Sequence, residues 1–435
     1  MSLRVATYPC KIAAARIRKI GDRTLAASQK EEAAVRRILT DIEKNGDAAL
    51  LKYIQAFDTP KMTAQKLVVT PKEIEKAHKS VPPSFKKAMK QAVGQITAFH
   101  TLQKRTSFET SGSNGAYLAQ VVRPVDCAGV YVPGGSGGET PLVSSVIMGV
   151  IPAKVAGVKE IVMATPSMKN GAVDAHLLVA ANIAGVDAIY KMGSAWAIGA
   201  LAFGTQMVPR VDVIVGPGNI YVALAKKWVA GRVGIDMVAG PSEILIVADK
   251  TANATYVAAD MLGQAEHDPM AASMLLTDNL ALAKNVRAEI DWQIQTLPRK
   301  EIAIQSLQQY GLIYVVPNLD IAIDIANEIA PEHLELMIKN PKKELKKVKH
   351  AGAVFLGNYT PEVMGDYIAG PNHVLPTAGT ARFSSGLSVD HFMKKTNVIA
   401  YDETAFRKEA SAVTEIACVE GMEAHARSVR VRLKK

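Results

Sequence analysis

The sequence predicts an α/β protein: two Rossmann-like parallel-sheet domains with a helical N-terminal segment and a small C-terminal segment. From residue 116 onward, short β-rich apolar runs alternate with helical stretches, which is typical of parallel sheets covered by helices on both faces. These strands are many for one sheet, and a chain of 435 residues is too long for one hydrophobic core. Together the two observations predict two α/β halves.

The first part of the chain carries helical periodicity. Apolar residues recur at period 3.6 over 29–58, and Gly46 predicts a stop between two helices there. Two further helices, each opened by proline, are expected at 71–81 and 82–104. Residues 1–25 are interpreted as a separate N-terminal segment.

The later part of the chain supplies the predicted strands. They are 128–134, 160–166, 187–193, 211–218, 243–249, 273–278, 311–317, 352–357 and 397–402. We expect 131–239 to form one α/β domain, and 26–130 together with 240–385 to form the main one. Residues 386–435 are expected to form the C-terminal segment, in which 404–433 are predicted to be helical.

Composition and charge exclude several classes of protein. Hydrophobic residues make up 49% and charged residues 21% of the chain, as in ordinary soluble proteins. The net charge is +10, but no basic stretch is interleaved with aromatic residues, so we expect no nucleic-acid partner. A solvated basic surface is the favoured interpretation, and a field that attracts anions such as a dinucleotide is the alternative.

Cysteine and hydropathy indicate the compartment. Three widely spaced cysteines argue against a disulfide framework and fit a reducing environment. No apolar run is long enough to span a membrane, and the N-terminus lacks the apolar region of a secretory signal. We therefore expect a cytoplasmic protein without a membrane partner.

Two glycine-rich turns follow predicted strands, at 131–141 and 216–219. Ligands of parallel α/β sheets bind at the carboxyl ends of strands, and glycine lets backbone N–H groups approach a phosphate. Neither turn matches the dinucleotide fingerprint or the P-loop, so a plain strand–turn–helix connection remains the alternative.

The stretch "APEHLEL" at 330–336 places Glu332 directly beside His333. Pro331 suits the first position of a helix, and Glu332 in that first turn would meet the positive end of the helix dipole. The pair can equally be acid–base machinery. The residues alone leave both interpretations open.

Several other polar residues could belong to a metal site. In "GQAEHDP", Gln264 and His267 share one helix face, although a capped helix end explains them equally well. A long Gly/Pro-rich loop contains Asp366 and His373, and loops of this kind are uncommon unless functional. Glu420 and His425 lie five apart on a predicted helix. One metal could collect Gln264, His267, Asp366 and His425, leaving Glu332, His333 and His373 for proton transfer, but spacing alone does not decide this.

The longer motifs resemble one known family. They include "GVYVPGG", "ALAFGTQMVPRVDVIVGPGNIYVALAKK", "VGIDMVAGPSEILIVAD", "GQAEHDP", "APEHLEL", "AGAVFLGNYTPEVMGDYIAGPNHVLPTAGTARFSSGLSV" and "EGMEAH". Motifs of this length, in this order and over nearly the full chain, resemble the histidinol dehydrogenase family.

The resemblance implies a zinc-dependent homodimer that oxidises L-histidinol through the aldehyde to L-histidine with two NAD⁺. The implied zinc ligands are Gln264, His267, Asp366 and His425, and the implied base and its partner are Glu332 and His333. The implied substrate contacts are Ser242, Gln264, His267, His333, Asp366, His373, Glu420 and His425. NAD contacts would be Tyr131 and Asn219 in domain 131–239. The C-terminal segment is exchanged in the family, so Glu420 and His425 would complete the partner's site.

The chemistry agrees with this division of roles. A neutral imidazole can take the alcohol proton near pH 7, and a carboxylate beside it can activate water for attack on the aldehyde. No cysteine in a candidate motif has an adjacent histidine. We therefore predict a hydrated aldehyde in the second step and no thiohemiacetal.

Two places depart from the family pattern. Trp196 stands where the family has a glutamine that contacts NAD, so we predict that the indole alters the cofactor's position, by stacking. The loop at 136–146 also differs. These departures leave a second reading, oxidation of another small alcohol such as a sulfonated diol. A third, an inactive zinc-binding scaffold, is disfavoured by intact Glu332 and His333.

Overall fold

A computed structural model describes residues 3–21, 23, 29–134 and 140–434. Its larger sheet has six parallel strands in the order β1-β11-β10-β9-β12-β13. These strands are β1 (Val5–Thr7), β9 (Glu243–Ala248), β10 (Ala272–Thr277), β11 (Leu312–Val315), β12 (His333–Met337) and β13 (Ala353–Leu356). We call it the six-stranded sheet.

Helices cover both faces of the six-stranded sheet. They are α1 (Lys11–Gly21), α9 (Ala254–Ala265), α10 (Leu280–Gln293), α11 (Lys300–Tyr310) and α12 (Leu319–Ile329), with the short α13 (Pro341–Glu344) and α14 (Glu362–Tyr367) nearby. Along β9, Ile244 and Ile246 face one hydrophobic cluster, while Leu245 and Val247 face another. This alternation explains why a strand buried on both faces is a continuous apolar run.

A second parallel sheet has five strands in the order β6-β5-β4-β7-β8. Its strands are β4 (Cys127–Tyr131), β5 (Glu160–Thr165), β6 (Ala188–Lys191), β7 (Val213–Val215) and β8 (Gly234–Ile235). Its crossover helices are α5 (Val143–Ala156), α6 (Ala175–Ala184), α7 (Ser194–Phe203) and α8 (Ile220–Val229). We call it the five-stranded sheet.

The N-terminal helices pack on this five-stranded half. They are α2 (Gln29–Phe57), α3 (Pro71–Ser80) and α4 (Pro83–Thr101). α2 lies on α7 and α8, and α3 and α4 lie on α6 and α5. The sequence predicts that 26–130 belong with 240–385. Because α2, α3 and α4 pack on the helices of the five-stranded sheet, we propose instead that 29–101 belong with that sheet. Gly46 interrupts α2 with φ 51 and ψ −128, and the predicted break is confirmed.

The C-terminal segment differs from its prediction. Its strand β14 (Met393–Ala400) is antiparallel to β3 (Tyr117–Pro124), which also pairs with β2 (Phe108–Ser111), so it joins neither parallel sheet. The predicted helix is broken at Gly421, with φ 69, into α15 (Glu403–Val419) and α16 (Glu423–Leu433). These two helices pack chiefly on each other and leave Ile416 and Val419 62% and 82% exposed.

The helix start suggested by "APEHLEL" is wrong, because His333–Met337 is the buried strand β12. Leu334 and Leu336 face one hydrophobic cluster, while His333 and Glu335 occupy the opposite face. Two buried polar side chains disguise an otherwise apolar strand. The other strands, apart from β1, β2, β3 and β8, were predicted. In the part of the chain described, no helix is both long and apolar enough to cross a membrane.

Candidate active site

The site lies at the amino edge of the six-stranded sheet. Glu243 opens β9 and His333 opens β12, and His333 is in register with Ile244 on one side and Ala353 on the other. The expectation that ligands bind at the carboxyl ends of strands is therefore wrong for this half. The order of the strands decides at which edge of the sheet the polar residues meet. The sequence alone does not reveal that order.

His333 is buried and held in one tautomer. Its Nδ1–H donates to the backbone carbonyl of Glu243 at 3.1 Å, an atom that can only accept. Nε2 therefore carries the lone pair, and it has no hydrogen-bond partner among the described residues. Burial lowers the pKa of His333 to about 4, although nearby Asp366 opposes that shift. The imidazole is neutral at pH 7 and offers one open acceptor.

Glu332 lies against the start of the neighbouring strand. Its Oε2 accepts from the backbone N–H of Glu243 at 3.0 Å, and its own N–H donates to Oε1 of Glu243 at 3.3 Å. Burial raises the pKa of Glu332 well above its usual range, and the nearby carboxylates of Glu243 and Glu362 add to the rise. Glu332 is thus a stronger base than an exposed carboxylate.

α14 brings two more acids to His333. Ligand atoms of His333, Glu362 and Asp366 all lie within 4.8 Å of one another. Burial raises the pKa of Glu362 to about 8, and the charge of Asp366 contributes. For Asp366, burial acts to raise the pKa, but a hydrogen bond and attraction from His373 lower it overall. Nδ1 of His373 is 3.6 Å from Oδ1 of Asp366, so the structure brings this predicted pair together.

Gln264 and His267 occupy the end of α9. His267 lies just past the helix, with its N–H donating to the carbonyl of Gln264 at 3.3 Å. Gln264 is 1% exposed, and its buried Oε1 has no partner among the described residues. The charge of His267 acts on both His333 and Asp366, which places it in the same neighbourhood. Ser242 directly precedes Glu243 and is half-buried.

A cavity of about 820 Å³ opens beside His333. As far as the described residues show, Glu332, Gln264, His267 and Ser242 are not part of its lining. Its lining includes His333, Asp366, His373, Lys104 and Arg105. The two basic residues follow α4, and Arg105 pairs with Asp390 at 3.0 Å. The cavity is large enough for a small polar substrate together with part of a second ligand.

Glu420 and His425 do not join this cavity within the one chain. Both are exposed, Glu420 at the end of α15 and His425 in the first turn of α16. The predicted single helix carrying both residues is therefore wrong. As far as the described residues show, the cavity lining contains no residue of α15 or α16.

The other predicted ligand residues lie at the carboxyl edge of the five-stranded sheet. Tyr131 ends β4, and its hydroxyl accepts from the N–H of Ser194 at 3.1 Å. Asn219 follows β7 and caps α8, with its Oδ1 accepting from the N–H groups of Tyr221 and Val222. The glycine-rich stretch 131–141 begins at Tyr131, and its residues 135–139 fall outside the described residues.

Trp196 does not offer the stacking surface that we predicted. Its ring is buried and packs on Tyr53 and Phe57 of α2, with ring centroids 6.2 and 5.4 Å away. Its Nε1–H donates to Oδ2 of Asp58 at 3.0 Å, and Gly193 N–H donates to the same oxygen at 3.2 Å. Burial raises the pKa of Asp58 to about 6, against the effect of these two hydrogen bonds.

Sequence reasoning missed the acids behind the pair. Glu243 contacts both Glu332 and His333, Glu362 lies 3.7 Å from Nε2 of His333, and Glu335 is buried two residues beyond His333. One signal was present: Glu243 opens the otherwise apolar run "EILIVA", where a charge must be paired.

The cysteines do not supply a nucleophile here. Burial raises the pKa of Cys127 to about 12, and Cys127 starts β4 in the other sheet. Cys10 and Cys418 are likewise absent from the lining of the cavity in the described residues. This arrangement favours chemistry without a thiolate.

Comparison with known proteins decides the family. Residues 22–433 match the family model described as Histidinol dehydrogenase. This chain belongs to the histidinol dehydrogenase family. A histidinol dehydrogenase of Desulfotalea psychrophila is 53% identical over 403 residues, 93% of each chain, and one of Bacillus cereus is 51% identical over 401 residues, 92% of each.

A solved structure gives the same fold. The crystal structure of histidinol dehydrogenase from Elizabethkingia anophelis aligns with a TM-score of 0.92 and 36% identity, covering 99% of this chain and 98% of that one. The family resemblance and the α/β fold class are thereby confirmed. As a member of the histidinol dehydrogenase family, the chain is an oxidoreductase acting on a CH–OH group.

Proposed function

We propose that the chain oxidises L-histidinol through the aldehyde to L-histidine with two NAD⁺ and a bound zinc ion, the last steps of histidine biosynthesis. The observation that carries the proposal is the buried, neutral His333 with an open Nε2 beside the buried carboxyl of Glu332. The family of the chain supplies the substrate class.

His333 serves the first oxidation. His333 lines the cavity, and its Nε2, which has no partner among the described residues, accepts the proton of the substrate hydroxyl as hydride leaves the carbon. The bond from Nδ1 to the carbonyl of Glu243 keeps the ring from rotating. Once His333 is protonated, the charge of Asp366 stabilises the imidazolium.

Glu332 serves the second oxidation. Water must add to the aldehyde before the second hydride leaves, and a carboxylate with a raised pKa is a suitable acceptor for the proton of that water. The backbone N–H of Glu243 holds Oε2 of Glu332, and among the described residues no hydrogen bond to the other oxygen competes with water. Since the three cysteines lie outside the described lining, a hydrated aldehyde is the intermediate we propose.

The residues present fit a zinc ion. The buried Oε1 of Gln264 lacks a partner among the described residues, which is costly unless a hydrogen-bond donor or a cation meets it. Gln264, His267 and Asp366 would hold the zinc with His425 of the partner subunit, a mixed nitrogen and oxygen set that suits this metal. When bound, zinc acts as a Lewis acid that orients the substrate. In this division of roles His333 is not a zinc ligand, and its open Nε2 is the atom that takes the proton.

We propose that NAD binds beside Tyr131 and Asn219. Gly216, at φ 117, closes so tightly on Tyr131 that an added Cβ would lie 2.0 Å from its carbonyl oxygen. Asn219 uses only its oxygen for capping, so its amide N–H groups can donate to a ligand. Trp196 would act on this site through Asp58 and not by stacking.

We further propose a homodimer with shared sites. The helices α15 and α16 expose Ile416 and Val419, and they carry Glu420 and His425 outside their own chain's cavity. A second copy would cover these apolar side chains and receive both polar ones. Because β14 remains paired with β3 of its own chain, the exchanged part begins after Ala400.

The test of this function is stoichiometry. Zinc-loaded protein with limiting L-histidinol and excess NAD⁺ should form two NADH per substrate molecule. A second candidate substrate, a sulfonated diol, is favoured by Lys104 and Arg105 in the cavity lining, because cations attract a sulfonate. Turnover of such a diol without any turnover of L-histidinol would contradict the first proposal.

A further inference from the structure

One buried ion pair behind the active site has no role in the reaction described above. Nη2 of Arg23 meets Oε2 of Glu243 at 2.5 Å, and the residues are 3% and 1% exposed. We propose that Arg23 and Glu243 are positioning residues that set Glu332 and His333 relative to the turn after Gln264 and His267. The inference rests on the proposed function of those four residues.

Glu243 reaches the proton-transfer pair at several atoms. Its backbone N–H donates to Oε2 of Glu332, and its Oε1 accepts from the backbone N–H of Glu332. Its backbone carbonyl accepts Nδ1–H of His333. Glu243 therefore fixes the carboxyl of Glu332 and the tautomer of His333 at the same time.

The same carboxylate holds a strained loop. Oε1 of Glu243 accepts from the N–H of Ala378 at 3.1 Å, and Ala378 has φ 51, a left-handed conformation that is unfavourable for alanine. The neighbouring Thr377 accepts from the N–H of Gly240 at 2.6 Å through its hydroxyl. Loss of the Glu243 charge would release this loop as well as the catalytic pair.

Arg23 connects Glu243 to the turn that follows the proposed zinc ligands Gln264 and His267. Its Nη1 donates to the carbonyl of Met270, three residues past His267, and its Nε donates to the carbonyl of Ile20 at 3.0 Å. Its guanidinium also lies 5.2 Å from the ring centroid of Tyr310. One planar group thus joins the end of α1, the turn after α9 and the first residue of β9.

Arginine is required by this geometry. A guanidinium donates in several fixed directions, whereas the ammonium of lysine is a point charge that cannot satisfy the three acceptors in that plane. Burial raises the pKa of Glu243, and Arg23 is the principal group that opposes this. Without Arg23, Glu243 takes up a proton or carries an uncompensated buried charge, and its bonds to Glu332 and Ala378 weaken.

The experiment compares Arg23→Ala with Arg16→Ala. Arg16 is the matched control, because it also donates to a backbone carbonyl, that of Gln308, but does not contact Glu243. We expect Arg23→Ala to lower kcat with L-histidinol about 100-fold, the usual cost of a displacement of about 1 Å at reacting groups. The KM for NAD⁺ should be unchanged. Added guanidinium should restore part of kcat, methylammonium should not, and Arg23→Lys should recover little.

A second readout does not need turnover. In protein labelled with ¹⁵N-histidine, the Nδ1–H signal of His333, assigned by its loss in His333→Asn, should be present in the wild type and Arg16→Ala. It should be broadened or shifted in Arg23→Ala and Arg23→Lys. An Arg23→Ala protein with wild-type kcat and an unchanged His333 signal would overturn the inference. So would a folded Arg23→Lys protein with full activity, should Arg23→Ala not fold.

These outcomes are separable from failure of the proposed function. If the wild type does not oxidise L-histidinol, the proposed function fails, while the His333 signal still reports on the Arg23–Glu243 pair. If the wild type forms two NADH and Arg23→Ala matches it, only the positioning inference fails.

Discussion

The two candidate sites lie at opposite edges of their parallel sheets. The candidate site of the six-stranded sheet lies at its amino edge, where Glu332 accepts from the N–H of Glu243 and His333 donates to the carbonyl of Glu243. The carboxylate of Glu243 accepts from the N–H groups of Glu332 and Ala378. The five-stranded sheet presents its carboxyl edge, where Tyr131 and Asn219 border turns and the start of a helix. Buried acids need donors, and backbone N–H groups at and near the starts of the strands and in the loop at Ala378 supply them. The proposed dinucleotide would need open backbone, which glycine-containing turns can supply.

Backbone strain marks both edges. Among described residues other than glycine, a positive φ occurs at Ser194, Ala330 and Ala378. Ala330 precedes Pro331 and Glu332, Ala378 donates to Glu243, and Ser194 donates to the hydroxyl of Tyr131. Strain of this kind persists only where the surrounding contacts enforce it. The two edges thus differ in chemistry and share the need for a fixed backbone.

The largest effect should come from His333→Asn. The amide cannot accept and hold a proton as imidazole does, so kcat should fall by about 10³-fold. Zinc content by metal analysis and the KM for NAD⁺ should remain near wild type. His333 is neither a proposed zinc ligand nor a proposed NAD contact. Loss of zinc in this variant would show that the cluster His333, Glu362 and Asp366 holds the metal. The assignment of His333 to proton transfer, and not to zinc binding, would then be wrong.

Glu332→Gln should slow the second oxidation more than the first. Glutamine keeps the hydrogen bond from Glu243 but cannot take a proton from water, so oxidation of the aldehyde should fall by about 10²-fold. Early in the reaction, NADH formed per L-histidinol consumed should drop from two toward one. Equal slowing of both steps, measured with L-histidinol and with the aldehyde, would contradict the separate roles.

The sequence was informative about elements and less so about their arrangement. The break at Gly46 and most strands of both parallel sheets follow from local periodicity. β12 was missed because His333 and Glu335 interrupt its apolar pattern. The edge used by each sheet depends on which strands are neighbours, and local sequence does not encode that.

The candidate site shows the same limit. Neighbours in sequence, such as Glu332 and His333, could be named from their chemistry and from the family resemblance. The contact between Arg23 and Glu243 joins residues 220 positions apart, so no spacing rule predicts it. The direction of the Trp196 ring likewise depends on Tyr53 and Phe57, which belong to a helix far away in sequence.

Hybrid dimers test whether the amino edge is completed by a partner. His333→Asn and His425→Ala proteins should each be inactive alone. After joint unfolding and refolding of equal amounts, half of the dimers are hybrid and one of their two sites is intact. Activity should therefore recover to about a quarter of wild type, measured as NADH formation. Absence of recovery, with hybrid dimers confirmed by mass, would place both residues in the site of one chain.

The carboxyl edge should give the smallest effect on turnover, through Asp58→Asn, since Asp58 lies away from the proton-transfer residues. The folded pKa of about 6 lies above the ordinary value of 3.8, so the folded state binds this proton more tightly than the unfolded state. The stability that Asp58 gains from holding its proton is present below about pH 4 and is lost as the pH rises through 6. Asparagine does not titrate, so Asp58→Asn keeps its stability as the pH rises. We therefore expect its free energy of unfolding, relative to that of the wild type, to increase between pH 4 and pH 7 by an amount of the order of 1 to 3 kcal/mol. Urea unfolding at fixed protein concentration measures this difference, and other titrating groups cancel in it. A difference that stays constant with pH would show that the carboxyl of Asp58 is as well solvated as an exposed one.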